Sequence, residues 1–277
     1  MKILVTGAKG QLGLDVIKEL GRLPHVGVDI DDFDIKDGRA VFDAIIRHKP
    51  TSVIHCAAYT AVDKAEDEAE LCRQINEEGT RNIAAACKET NASIIYISTD
   101  YVFPGEGEDF YKPNDSTGPL SVYGKTKLAG ENAVREETMK HFIVRTSWVF
   151  GQGGNNFVST MLRLGKERDS INVVCDQFGS PTYTADLAPL LVGMANSEKY
   201  GTYHATNEGI CSWAEFASEI FQKVNMNVAV NYIPSSEYPS KAKRPLNSRL
   251  CKASLDAAGF VRLPHWTDAL ARYLQFC

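Results

Sequence analysis

The feature that most constrains the fold lies at residues 3–20. Ile3-Leu4-Val5 is a short apolar run, and Thr6-Gly7-Ala8-Lys9-Gly10-Gln11-Leu12-Gly13 follows it directly. Helical spacing then runs from about Gln11 to Leu20. A strand that turns through glycines into a helix opens a βαβ unit, and the helix N-terminus is a ready site for a phosphate. Gly7 allows the tight turn, Gly10 lets the backbone approach a pyrophosphate, and Gly13 lets helix and sheet pack closely. The spacing is G-x-x-G-x-x-G, not G-x-G-x-x-G, so the three glycines alone are a weak signal. Their place between strand and helix gives them weight.

The pattern repeats along the first half. Val26-Gly27-Val28, Ser52-Val53-Ile54, Ser93 to Ser98 and His141 to Thr146 read as further strands. Helical stretches near Val41 to Ile46, Leu71 to Lys88 and Val122 to Val134 separate them. Strands alternating with helices imply right-handed crossovers and a parallel sheet. The strands are apolar without alternation, as expected when both faces are covered. The expected fold is α/β, a Rossmann-type doubly wound parallel sheet with a smaller, mostly C-terminal substrate-binding region. The expected boundaries are 1–150 for the dinucleotide-binding domain and 151–277 for the substrate region, with roughly 184–204 returning to the first. Asn156 to Lys166 and Thr184 to Ala195 read as helices, Ile171 to Val174 as a strand, and Pro234 to Arg249 as a long loop.

Composition narrows the partners. A net charge of −5 gives no basic stripe for nucleic acid. The longest apolar runs fall well short of the roughly eighteen residues of a membrane span. The 7 cysteines are odd in number, widely spaced and without a C-x-x-C pair, which suggests neither a disulfide framework nor a metal site. Reduced thiols and a cytoplasmic location are the simpler expectation. The oligomeric state is not readable, and a homodimer stays open.

Two signals bear on the cofactor, and they conflict. Asp29 closes the second strand, where an acid commonly binds the adenosine ribose hydroxyls and favours NAD. Lys9 lies inside the glycine loop, where an ammonium suits a 2′-phosphate; its alternative is a solvated loop lysine. Asp34 belongs to the same acidic stretch, whose alternative reading is a solvated turn.

Tyr123-Gly124-Lys125-Thr126-Lys127 places a phenol and an ammonium four residues apart, on one helix face. A phenol of pKa about 10 must fall roughly three units to give a proton near neutral pH, worth about 4 kcal/mol. One ammonium about 4 Å away supplies on the order of 4 kcal/mol at an effective dielectric of about 20. Y-x-x-x-K alone is prone to chance. Thr99 improves it, because Ser98-Thr99-Asp100 ends the fourth strand on the edge where parallel sheets bind ligands. There Thr99 is suited to hydrogen-bond a substrate carbonyl or the phenol.

Glycine loop, Thr99 and the Tyr123/Lys127 pair together resemble the extended short-chain dehydrogenase/reductase family. Finer motifs resemble the dTDP-4-dehydrorhamnose reductase family within it. They are Ala57-Ala58-Tyr59-Thr60-Ala61-Val62-Asp63-Lys64-Ala65-Glu66, Ser98 to Phe103, Val122 to Lys127, Arg145-Thr146-Ser147-Trp148, Asn155-Asn156-Phe157, Asp176 to Thr182, and Arg244-Pro245-Leu246-Asn247-Ser248-Arg249. The resemblance implies reduction of a dTDP-4-dehydro sugar, with NADPH favoured and NADH as the alternative. It implies that Tyr123 gives the proton and that Lys127 holds the nicotinamide ribose and lowers the phenol pKa, with Thr99 tuning the site. Gly10, Gln11 and Leu12 would lie on the pyrophosphate, Asp29 and Asp34 near the adenosine, and Ala58, Tyr59 and Thr60 along the cofactor. Ile35 and Ile97 complete that set. Asp100, Trp148, Asn156, Gln177 and Arg244 would contact the sugar nucleotide, Arg244 at the diphosphate.

Related chemistries compete. The 4,6-dehydratases carry Thr-Asp-Glu at the strand end; Tyr101 stands in the Glu position here, which removes one of the two carboxyls dehydration needs. Epimerases usually show Ser-Ser, where this chain has Ser98-Thr99. A non-catalytic binding subunit, like the regulatory subunit of methionine adenosyltransferase, is disfavoured by intact Thr99, Tyr123 and Lys127. Trp213 and Phe216 read as core packing of a helix.

Overall fold

The computed structural model describes residues 2–277. Five strands of the first half, β1 (Ile3–Thr6), β2 (His25–Val28), β3 (Ser52–His55), β4 (Ser93–Thr99) and β5 (His141–Thr146), join the later strand Gly201–His204. They form one six-stranded sheet in the order β2-β1-β3-β4-β5 followed by Gly201–His204. All neighbours run parallel: Val5 lies opposite Gly27 on one side and Ile54 on the other, and Thr99 lies opposite Thr146. The winding reverses beside β1, so the carboxyl ends of β1 and β3 part and leave a crevice.

The unbroken apolar strands have a direct cause. Ile3, Val5, Ile54, Ile95, Phe142 and Val144 pack on one face with helix α1 (Gln11–Leu20) and the helix Thr184–Ala195. Leu4, Val53, Ile94, Tyr96 and Ile143 pack on the other, with helix α2 (Gly38–His48) and the helices Thr80–Glu89 and Val122–Glu137. Alternate residues therefore face different cores, and both must be apolar. Asp37 starts α2 by accepting the amides of Arg39 and Ala40 at 2.9 and 3.1 Å.

The expected single helix from Leu71 to Lys88 is interrupted. An α-helical turn at Ala69–Arg73 widens into a π segment, Gln74–Gly79, before α-helix resumes at Thr80. Apolar periodicity does not reveal an inserted residue of this kind, because the flanking turns keep their buried faces.

Beyond β5 the chain builds a second core around Phe150, Val158, Phe216, Trp266 and Tyr273. The helices Phe157–Glu167, Trp213–Lys223 and Trp266–Leu274 enclose it, with two short parallel strand pairs, Ser170–Val174 beside Ala229–Ile233 and Val149–Phe150 beside Thr182–Tyr183. The expected loop Pro234–Arg249 is irregular apart from one 3-10 turn, Ser235–Glu237, and the two-residue strand Asn247–Ser248. That strand lies beside Phe178–Gly179, which also pairs with Cys211–Ser212. Among the described residues, no helix is long and apolar enough to cross a membrane. No group of three or more His, Cys, Asp or Glu side chains there is placed to hold a metal ion.

Candidate active site

The glycine loop turns at Gly7, whose φ is +64° and where a Cβ would lie 2.7 Å from the amide nitrogen of Ala57 at the end of β3. Only glycine lets the loop rest against that strand end. Helix α1 then begins at Gly10 without a side-chain cap and without an acid in its first turn. Its positive end is left for an external anion. In front of it opens a cleft of about 370 Å³, lined by Gly7, Gly10, Asp29, Asp34, Ile35 and Ala58 among others. Size, concavity and the uncapped helix suit the adenosine and pyrophosphate of a dinucleotide.

Several expected cofactor residues act differently from their side-chain reading. Lys9 turns its ammonium to Asp31 with both groups exposed, while its backbone amide donates to Asp29 at 2.8 Å. The apparent conflict between Lys9 and Asp29 is thus a local tie, and the lysine that lines the cleft is Lys36, 3.4 Å from Asp34. The Gln11 side chain accepts from the amide of Gly151 at 3.0 Å and from Asn156 at 2.9 Å, so only its backbone faces the anion position. The side chain of Leu12 is buried in the sheet–helix core, and Gly13 is buried beside it. Tyr59 sends its hydroxyl to Glu68 at 2.7 Å, and Thr60 is exposed. Phe33, Lys36, Cys56 and Ile75 also line the cleft and carry no motif; Phe33 and Lys36 adjoin Asp34, Cys56 follows β3, and Ile75 comes from the π segment, where no local signal marks it.

The helix that carries Tyr123 and Lys127, Val122–Glu137, starts at Ser121, whose hydroxyl accepts the amide of Gly124 at 3.2 Å. A Cβ at Gly124 would lie 2.3 Å from the carbonyl oxygen of Tyr101, so glycine here lets the helix press against the turn after β4. Tyr123 is half-buried and meets Tyr101 edge-on, with ring centroids 5.4 Å apart. Lys127 is buried; its Nζ donates to the carbonyl of Ile97 at 2.7 Å and lies 4.1 Å from the centroid of the Tyr96 ring. Burial pushes its pKa down to about 7, against a raising influence from Glu131 one turn further along. The Tyr123 phenol is pushed upward by burial, with Thr99 drawing it down and Asp100 adding to the rise. In this arrangement the Lys127 Nζ is turned to the Ile97 carbonyl, and with a pKa near 7 it is about half charged at neutral pH.

Thr99 and Asp100 form the other half of the site. The Thr99 hydroxyl donates to Asp100 Oδ1 at 2.9 Å and accepts the amide of Tyr101 at 3.2 Å. Asp100 Oδ2 accepts from Ser248 on the far strand. Burial raises the Asp100 carboxyl to about 6, opposed by its Ser248 and Thr99 hydrogen bonds. Ser248 was not singled out from the sequence, although its surrounding motif was; a serine carries no signal until a fold brings it to an acid.

Beneath them, Glu131 is fully buried and holds Arg145 by two bonds of 2.8 and 2.7 Å and Ser98 at 2.6 Å. Tyr123, Lys127 and Glu131 recur every fourth residue on one helix face. The ion pair ties that face to the ends of β4 and β5.

On the sugar side, Trp148 has φ +51° and stacks on Trp213, with centroids 3.7 Å apart and planes 14° from parallel. Trp213 is partly buried and packs against the second core beside Phe157, while Phe216 is fully buried within it. Gly179 packs against both Trp148 and Ser248, joining this platform to Asp100. Gln177 is buried and donates to Ser235 at 2.9 Å. Asn156 is committed elsewhere: it caps the helix Phe157–Glu167 and donates to Gln11, Gly151 and Tyr273. It is a joint between the two parts of the molecule, and its amide is spent. Arg244 grips Asp63 through both terminal nitrogens, at 3.0 and 2.6 Å, and the Arg244 hydrogen bond holds the Asp63 carboxyl down at about 2.

A cleft of dinucleotide size and the half-buried Tyr123 phenol, beside the end of β4, share one edge of the sheet. Hydride transfer coupled to proton transfer requires that juxtaposition, and it places the chain among the short-chain dehydrogenases/reductases. Within that class the chain belongs to the family described as the RmlD substrate binding domain, whose model matches residues 1–277. It is 43% identical to a dTDP-4-dehydrorhamnose reductase of Aggregatibacter actinomycetemcomitans, over 97% of each chain. It is 40% identical to the spore coat polysaccharide biosynthesis protein SpsK of Bacillus subtilis, over 99% of this chain and 97% of the other. The crystal structure of the dTDP-4-dehydrorhamnose reductase of Bacillus anthracis in complex with NADP superposes with a TM-score of 0.97 at 43% identity, covering 100% of this chain and 99% of that one.

Proposed function

We propose that this protein reduces the C4 ketone of dTDP-4-dehydro-L-rhamnose to dTDP-L-rhamnose with NADPH, NADH being the less favoured reductant. The observation that carries the reading is Thr99 and Tyr123 converging at the end of β4, beside Lys127 and an uncapped glycine-loop helix, in a chain similar end to end to reductases of that name. The NADP held by the Bacillus anthracis relative supports the choice of cofactor.

Gly10, Gln11 and Leu12 hold the pyrophosphate through backbone amides, and Asp29, Asp34 and Ile35 hold the adenosine end. Residues 1–150, with 184–204, form the dinucleotide-binding part, and most of 151–277 serves the sugar nucleotide. Bound there, the reduced nicotinamide supplies the hydride. Tyr123 donates its proton to the oxygen that hydride attack makes basic, and Thr99 positions that oxygen. Lys127 fixes the ribose and, when protonated, steadies the phenolate left behind. Asp100, Gln177 and the Trp148 platform take the sugar, and Arg244 takes the diphosphate by exchanging Asp63 for phosphate oxygens. Both reactants are small soluble molecules, which suits the cytoplasm.

The test is oxidation of NADPH and of NADH with dTDP-4-dehydrorhamnose and with a panel of other nucleotide ketosugars. Turnover of the rhamnose precursor above the panel supports the reading. A preference for another ketosugar, or conversion without net cofactor oxidation as an epimerase would show, overturns it.

A further inference from the structure

The Arg244 guanidinium already has an anion. It donates to both oxygens of Asp63, at 3.0 and 2.6 Å, and to the Ser240 hydroxyl. The strap around it is pinned on the same side. Asp63 Oδ1 also accepts from the Ser240 hydroxyl at 3.0 Å and from the Ala242 amide at 3.1 Å, and Lys241 pairs with Asp67. Asp63 lies on the one-turn helix Val62–Ala65, just past the Ala58–Thr60 segment that follows β3. Pro245, next to Arg244, rests on the turn after β4, where a Cβ at Gly105 would lie 2.3 Å from the Pro245 Cβ. Arg244 thus spans the loops that follow β3 and β4, at the sheet edge that carries Tyr123.

We propose that Asp63 competes with the diphosphate for Arg244, and that this competition sets how fast the product leaves. The proposal rests on the reading above in which Arg244 takes the diphosphate.

Substrate and product carry the same diphosphate, across the sugar ring from the ketone. A clamp on it holds both alike. Uniform binding of that kind lowers KM without speeding the chemical step. It also slows product release, which limits turnover in many enzymes. A carboxylate beside the clamp counters this. It offers two oxygens to the same two nitrogens that a phosphate would engage, so the guanidinium exchanges one bidentate acceptor for another and is never left bare.

The surroundings of Asp63 suit a competitor. When Arg244 leaves, the Ser240 hydroxyl and the Ala242 amide still satisfy the carboxylate. The two side chains are 24% and 46% exposed, for Arg244 and Asp63 in turn, so solvent and ligand reach the pair. The Arg244 hydrogen bond holds the Asp63 carboxyl down at about 2, which keeps the competitor charged near neutral pH.

The experiment is calorimetric titration of dTDP into enzyme saturated with NADP+, which fills the glycine-loop cleft. Parent, Asp63→Asn, Arg244→Ala and the double variant are compared, with Asp67→Asn as the control for one lost negative charge nearby. Competition predicts that Asp63→Asn binds dTDP at least about threefold more tightly than either the parent or Asp67→Asn. In the Arg244→Ala background that gain shrinks to the size seen in Asp67→Asn. In turnover, Asp63→Asn lowers KM for the sugar nucleotide and lowers kcat, while dTDP-L-rhamnose becomes a tighter inhibitor. Weaker or unchanged dTDP binding in Asp63→Asn means that Asp63 orients Arg244, and the proposal is wrong. A gain that persists without Arg244 is a field effect and also rejects it. Tighter binding with kcat unchanged rejects the role in release. If Asp63→Asn does not fold, Asp63→Ser, which keeps a hydroxyl to accept the Ala242 amide, is read by the same criteria. Unaltered dTDP affinity in Arg244→Ala overturns the diphosphate role given to Arg244, and failure of the parent to oxidise NADPH with dTDP-4-dehydrorhamnose overturns the reductase reading.

Discussion

Lys127 shows how far a five-residue pattern can be read. The spacing to Tyr123 put both groups on one face, and they are there. What the spacing does not show is that the Lys127 Nζ is buried against Tyr96 and the Ile97 carbonyl. Its pKa falls from 10.5 to about 7. The sign of the consequence is definite. Between about pH 7 and 10.5 the unfolded chain binds this proton and the folded chain does not, so stability rises with pH across that window. Below it the full penalty of burying the charge applies. Lys127→Met should therefore change Tm more favourably at pH about 6 than at pH about 9, as read by thermal unfolding of both proteins. An equal change at both values would mean that Lys127 keeps its ordinary pKa in the fold.

The π segment Gln74–Gly79 illustrates what an element can hide. It contains Asn76, 1% exposed, whose side chain accepts the amide of Tyr59 at 2.8 Å and donates to the Tyr59 carbonyl at 3.1 Å. The same amide reaches Thr126, on the helix of Tyr123 and Lys127, at 3.2 Å. One side chain thus links the strand-end loop of the cofactor cleft to the turn between Tyr123 and Lys127. π bulges tend to occur at functional sites, because the extra residue re-aims its neighbours. Asn76→Ala leaves the Tyr59 amide and carbonyl unpaired and should cost about 1–3 kcal/mol in urea unfolding. Its KM for NADPH should rise as the Ala58–Thr60 segment loosens. The elements of the first half were largely legible because each strand must be apolar on both faces. The π segment was not, since its residues continue the helical pattern of the turns on either side.

At the scale of the whole molecule, the site is assembled from both ends of the chain. Gln11 meets Gly151 and Asn156, Asp15 meets Thr184, and Ser248 meets Asp100. The strap Ser240–Arg244 is held by Asp63, while Lys241 pairs with Asp67. On the proposed function Arg244 exchanges the Asp63 carboxylate for a diphosphate, one bidentate acceptor replacing another. Arg244→Ala should raise KM for the sugar nucleotide at least about tenfold while KM for NADPH stays within about twofold. Steady-state kinetics with each substrate varied separately measures this. Equal effects on both would mean that the strap serves the fold and not the diphosphate.

The sequence alone determined the class of fold, the glycine turn into the first helix and the shared face of Tyr123 and Lys127. These depend on periods of two and 3.6 residues and on where glycine is tolerated, which are properties of neighbouring residues in the chain. Tertiary structure decided the rest. It turned Lys127 toward Ile97, spent the Asn156 and Gln11 side chains on a joint, and moved Lys9 to Asp31 while Lys36 took the cleft. It also brought Ser248 to Asp100 across 148 residues of chain. Burial and partner choice are set by which surfaces meet, and a pKa follows from both. No local pattern encodes them, because the groups that decide them lie far apart in the chain.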